Sequence, residues 1–124
     1  MFDSSVLIDC LRGRPDAIGF LAAQSAAGRP RTHLLVVAEL LTGARNNAEQ
    51  RLIDSFLQGF DLSLPNEPDG LVALDLYRRF RLSHGVDWPD CQIAATAQRL
   101  NVEVFTQNVK HFAAFPGLRV VRAY

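Results

Sequence analysis

The stretch from Asp90 to Asn108, DCQIAATAQRLNVEVFTQN, holds both periodicities that decide the fold. Asp90 to Leu100 reads as a helix, with Ile93, Ala94 and Ala97 following Asp90 at the i+3, i+4 and i+7 spacing of a face packed on a core. Val102 to Phe105 then reads as a short strand, and Asn108 comes just after it. A helix running into a β-rich segment is the unit from which helices covering a mainly parallel sheet are built.

The same alternation extends toward both ends. Val6 to Leu11 is a short helix ended by Gly13 and Pro15, and Asp16 to Ala27 is a second, stopped by Gly28 and Pro30. His33 to Val37 (HLLVV) reads as a buried strand running into a helical AELLTGA. Leu52, Ile53, Phe56, Leu57 and Phe60 share one face of a helix over Ala48 to Phe60. Leu62 to Leu64 is a strand, Pro68 to His84 a long helix, and Leu118 to Val121 a closing strand. Only Met1 and Phe2 precede Asp3, so the expectation is either an unusually short first strand or, as favoured, residues upstream of Met1. No repeat, low-complexity tract or linker breaks the chain, and residues 1–124 are read as one α/β domain with a central sheet flanked by helices.

Composition narrows the function classes. A hydrophobic content of 48% with 21% charged residues is that of a globular protein. No apolar run approaches the ~18 residues that a membrane-spanning helix needs, and no signal-peptide pattern opens the chain. Two cysteines, Cys10 and Cys91, form no disulfide framework, which points to a reducing, cytoplasmic setting. Neither lies in a Cys/His cluster of zinc-site spacing. Thirteen basic and thirteen acidic residues cancel, whereas nucleic-acid binders usually carry a positive surplus. Cations bound among the aspartates would leave the remaining surface net basic.

In open α/β sheets, ligand sites lie beyond the carboxyl ends of the strands. Four polar residues fall there: Asp3 after the first strand, Glu39 after HLLVV, Asp90 at the start of the IAATA helix, and Asn108 after VEVF. Three carboxylates and an amide make an oxygen-only set that suits hard Mg²⁺ or Mn²⁺ better than zinc. Such a site fits phosphodiester hydrolysis, in which the cation polarises a phosphoryl oxygen and lowers the pKa of a water. Asp3 and Asp90 would hold the ion, Glu39 the ion or its water, and Ser5 would orient a carboxylate or contact a phosphate. Each residue also has a plainer role open to it. Asp3 and Asp87 stand where helix N-caps stand, Glu39 could be the exposed position of an amphipathic helix, and Asn108 could shape a turn. Capping explains Asp87 better than catalysis does.

Taken together, the segments resemble the PIN-domain nucleases. DSSVLID (residues 3–9) is similar to their opening block, VVAELLTGA (36–44) to the second, and DCQIAATAQRLNVEVFTQN to the third and fourth. The closing FAAFPGLRVV (112–121) resembles the tail of the VapC-type toxins of toxin–antitoxin systems. The blocks occur in family order over nearly the whole chain. The resemblance implies a PIN-like α/β fold, Mg²⁺-dependent endoribonuclease activity on an RNA substrate, homodimerisation, and inhibition by a cognate antitoxin. Its metal positions carry over to Asp3 and Asp90, with Glu39 as the third acid and Thr106 supporting the site through its hydroxyl. Two departures weaken the fourth position: Asn108 is neutral, and His111 stands where many relatives have aspartate. One well-held ion is therefore expected, and a second held poorly. The alternatives are a catalytically silent PIN-like module that binds RNA or a partner, and a nuclease of the same fold directed at DNA. Arg78, Arg79 and Arg81 could track a phosphate backbone or simply line a solvated helix face.

Overall fold

The computed structural model describes residues 1–124. Its strands are β1 (Arg31–His33), β2 (Asp61–Ser63), β3 (Val104–Thr106) and β4 (Val120–Arg122). Its helices are α1 (Ser4–Leu11), α2 (Pro15–Ala27), α3 (Leu34–Thr42), α4 (Asn47–Leu57), α5 (Glu67–His84), α6 (Trp88–Leu100) and α7 (Val109–Phe112). β1 pairs with β2 and β3 with β4, both in parallel. Phe2 joins the two pairs, bridging Thr32 on one side and Phe105 on the other, again in parallel. The sheet order is therefore β2, β1, Phe2, β3, β4, and the expected parallel α/β architecture holds.

The middle of this sheet is as short as a strand can be. Phe2 N–H donates to Arg31 O at 2.8 Å, Phe105 N–H to Met1 O at 2.8 Å, and Asp3 N–H to Phe105 O at 3.0 Å. The Phe2 ring is buried among Phe20, Phe60 and Phe105, with centroids 5.0–6.1 Å away. A large aromatic in such contacts stabilises the structure by roughly 1.5–3 kcal/mol through burial, which anchors two residues that make few ladder bonds.

The HLLVV segment departs from expectation. The strand ends at His33, and Leu34 to Val37 are the first turn of α3. His33 causes the break: its backbone is extended, and its Nδ1 accepts from Leu35 N–H at 3.0 Å, capping a helix start. An apolar run of this length fits a buried strand or a buried helix equally well by pattern. Other differences are shifts of one to three residues, such as α4 ending at Leu57 and β3 beginning at Val104. The short helix α7 was not anticipated.

His33 also belongs to a buried polar chain that ties three helices together. Because Nδ1 accepts, Nε2 carries the proton and donates to Thr96 Oγ1 at 3.0 Å. Thr96 in turn donates to Asp69 Oδ2 at 2.9 Å. Asp69 is 2% exposed and also receives Arg99 Nε at 2.8 Å and Arg99 Nη2 at 3.0 Å. With Asn66 it forms a reciprocal capping box at the start of α5. Burial opposes ionisation of Asp69, but the bonds from Arg99, the Asn66 backbone and Thr96 outweigh it and keep its carboxyl below the usual range. Residue 69 thus clamps α6 against α5. Asp69→Ala should lower unfolding free energy by about 2–3 kcal/mol, whereas Asp75→Ala, at an exposed ion pair on the same helix, should change it by under about 1 kcal/mol in denaturant titrations.

Candidate metal centre

The carboxyl edge of the sheet gathers side chains from α1, α6, α7 and the turn after β3. Asp3 is 4% exposed and occupies the N-cap position of α1, but its side chain makes no cap bond. Its Oδ2 instead accepts from Thr106 Oγ1 at 2.8 Å and from Ser5 Oγ at 3.1 Å. The same two hydroxyls accept in their turn, Ser5 Oγ from Gln107 N–H at 3.0 Å and Thr106 Oγ1 from Asn108 N–H at 2.9 Å. Four hydrogen bonds thus fix Asp3 to the turn after β3. No arginine, lysine or histidine pairs with this carboxylate.

Asp90 projects from the first turn of α6 with 13% of its side chain exposed. Burial, followed by the charges of Asp3, Asp87 and Glu39, pushes its pKa from 3.8 up to about 7. Three other acids therefore act on Asp90 across this edge. Asp87, at the N-cap position of α6, makes no side-chain cap bond, so the capping role expected of it is not the one it fills. Its carboxylate, that of Asp90 and a ring nitrogen of His111 all lie within 4.8 Å of one another. His111 Nδ1 is 3.3 Å from Asp90 Oδ2.

The remaining expected residues, Glu39 and Asn108, are exposed. Glu39 is exposed on α3, where it lines a groove of about 470 Å³ with Ile8, Leu11, Arg12, Leu40 and Ile53. Asn108 is exposed, and its side chain makes no capping bond at the start of α7. Its backbone N–H, rather than its amide, serves the Asp3 clamp through Thr106. Two contributors escaped the sequence reading in these roles, Asp87 and His111. The available signal was their shared chemistry, a D-x-x-D start to α6 and a histidine three residues beyond Asn108.

The sequence pattern of the PIN domain matches residues 1–118. The chain belongs to the PIN-domain family. This PIN domain is 36% identical over 121 residues to "Ribonuclease VapC19" of Mycobacterium tuberculosis, with 96% of each chain covered. It is 35% identical over 120 residues to "Ribonuclease VapC10" of the same organism, covering 96% of this chain and 90% of the relative. Among solved structures it resembles a "Toxin-antitoxin complex from Klebsiella pneumoniae", with TM-score 0.78, 30% identity, and 99% and 96% of the two chains covered. VapBC-1 from nontypeable Haemophilus influenzae shares the fold, with TM-score 0.82 at 23% identity over 99% and 96% of the chains.

The donor set of this PIN domain fits a divalent cation. A buried carboxylate without a protein counter-charge, beside a second one whose ionisation its neighbours oppose, gains from a positive ion placed among them. Two opposed pH dependences follow. Folding raises the pKa of Asp90, so in chelator its contribution is full below about pH 4 and is lost as pH rises toward 7. Burial, then the charge of Arg99, lowers His33 to about 4 against the opposing pull of Asp69; its contribution is full above about 6.5 and is lost as pH falls toward 4. The two slopes oppose one another between about pH 4 and 6.5 in the parent chain. Asp90→Asn should unmask the His33 slope, so that the variant loses stability steeply on acidification while the parent changes little. Parallel slopes in pH-dependent unfolding titrations would remove the assigned environment of Asp90.

Proposed function

We propose that this PIN domain is a divalent-metal-dependent endoribonuclease and the toxin of a type II toxin–antitoxin pair. The observation that carries the reading is the burial of Asp3 beside the electrostatically crowded Asp90 at the carboxyl edge of a parallel sheet. The identity to ribonuclease relatives supports RNA as the polymer. Asp3, Asp90 and Glu39 would hold the ion, Mg²⁺ or Mn²⁺, which when bound supplies Lewis-acid activation of water and neutralises charge at the scissile phosphate.

The chain's own residues do the rest by position. Thr106 and Ser5 occupy Oδ2 of Asp3 and fix its rotamer, which leaves Oδ1 available to an ion. The first turn of α6 sets Asp90 on the same edge. Glu39 and Arg12 line the adjoining groove, and the exposed Arg12 can take a phosphate oxygen of the polynucleotide.

The groove between α1, α3 and α4 suits a segment of the antitoxin. Its floor is apolar, with Ile8, Leu11, Leu40, Leu52 and Ile53, and Arg12, Arg45 and Glu49 add charge. Among the large apolar residues from Leu40 to Phe60, Leu52 is the exposed one, at 68%. A larger uncovered apolar run lies on α5, where Leu71 is 67% and Leu82 83% exposed, with Leu74 between them. That helix is the face assigned to homodimerisation.

Asp3→Asn and Asp90→Asn should each lower RNA cleavage by the purified protein at least about 100-fold while circular dichroism stays unchanged. Cleavage by either at the parent rate would cancel its role. Induction of the parent but not of Asp90→Asn should yield new 5′ ends in cellular RNA. For assembly, light scattering at micromolar concentration should give a dimer mass that Leu71→Glu with Leu82→Glu reduces to a monomer. A monomeric parent would contradict the assignment of α5.

A further inference from the structure

The site holds one donor that the oxygen-only reading leaves out. We propose that His111, with Asp87 and Asp90, forms a mixed nitrogen–oxygen ligand set that makes this centre select a first-row divalent transition ion over Mg²⁺. The inference rests on the reading of Asp90 as a metal ligand and adds to it the identity of the ion.

Three independent placements converge on it. His111 sits in the single turn of α7, which the neighbouring Phe112, 1% exposed, pins to the core. Its imidazole leans on Asp90 although 42% of the side chain is exposed and water is available to it. The 3.3 Å approach of Nδ1 to Asp90 Oδ2 is not aligned as a hydrogen bond, unlike the bonds that fix Asp3. Asp87 stands at a helix N-cap, where an aspartate ordinarily accepts from the backbone of the first turn, and forgoes that bond. One oxygen of each carboxylate and a ring nitrogen lie within 4.8 Å of one another. An octahedral ion with ligands at about 2.1 Å separates cis donors by about 3 Å and trans donors by about 4.2 Å. Small side-chain rotations therefore close the set around an ion.

A further observation points to a cation here. Asp3, more than nine-tenths buried, offers only Oδ2 to the protein, and its charge is the largest of those acting on Asp90. Donor chemistry then decides which cation. Mg²⁺ takes oxygen ligands and keeps its waters, whereas imidazole suits first-row transition ions. A histidine here brings no negative charge for Mg²⁺ to use and supplies a nitrogen that Mn²⁺ and its heavier neighbours accept. His111 thus shifts the preference of the centre rather than merely weakening it.

The full chain with Mn²⁺ as the probe provides the test. Pulsed electron paramagnetic resonance of the Mn²⁺-loaded parent should show coupling to a ¹⁴N nucleus, and calorimetry should give Mn²⁺ binding at least about tenfold tighter than Mg²⁺. His111→Ala should abolish the nitrogen coupling and weaken Mn²⁺ about tenfold, with Mg²⁺ changed less than about twofold. His111→Asp should also lose the coupling but bind Mg²⁺ more tightly than the parent does. Asp87→Asn should keep the coupling and weaken Mn²⁺. Mn²⁺ that Asp90→Asn displaces, but that shows no nitrogen coupling and is indifferent to His111→Ala, would overturn the proposal and leave the metal-site reading standing. Mn²⁺ binding that survives Asp90→Asn would overturn both.

Discussion

The architecture turns on a carboxylate placed where nothing in the protein neutralises it. Asp3 follows directly on Phe2, the one residue that bridges both halves of the sheet, so its position is set by the strand pairing itself. Hydroxyls of Ser5 and Thr106 then hold one of its oxygens. The acid cannot swing to solvent without breaking this clamp, and α6 holds Asp90 within reach of its charge. Crowding at the site is thus a consequence of the fold, and the aromatic cluster around Phe2 helps to offset it.

The second constraint holds α6 in place from its far end. Asp69 caps α5 and receives both Thr96 and Arg99, while His33 caps α3 and donates to the same threonine. One buried polar chain therefore locates the helices that carry Asp90 and Glu39. Its direction is set by a single backbone N–H, that of Leu35, which makes Nδ1 of His33 the acceptor. The acidic edge is free to be electrostatically unfavourable because its supports lie elsewhere.

Much of this was legible in the sequence. The helix over Asp90 to Leu100 and the order of helices and short strands appear in the structure as read, since their periodic faces leave little choice. The charge of Asp3 reaches Asp90 because Asp3 follows the central bridge of the sheet and Asp90 opens a helix that leads into β3. HLLVV was illegible for a physical reason: an unbroken apolar run carries no period, and the capping nitrogen of His33 decides the matter. Asp87 was read as a cap because spacing fixes position but not the direction of a side chain. His111 was read as a weakness because α7, a single turn, leaves no periodic trace, and its approach to Asp90 exists only in three dimensions. The network from His33 to Arg99 spans residues 33 to 99 and has no local signature.

The central claim is that the acids at the sheet edge oppose folding until a cation joins them. It is tested most directly by the melting temperature of the chain at pH 8, in chelator and across a divalent-ion titration, beside the double variant Asp3→Asn with Asp90→Asn. The account predicts that, in chelator, the double variant melts about 4 °C or more above the parent, and that added ion raises the parent alone. A double variant that melts below the parent in chelator, with a parent indifferent to the ion, would contradict it.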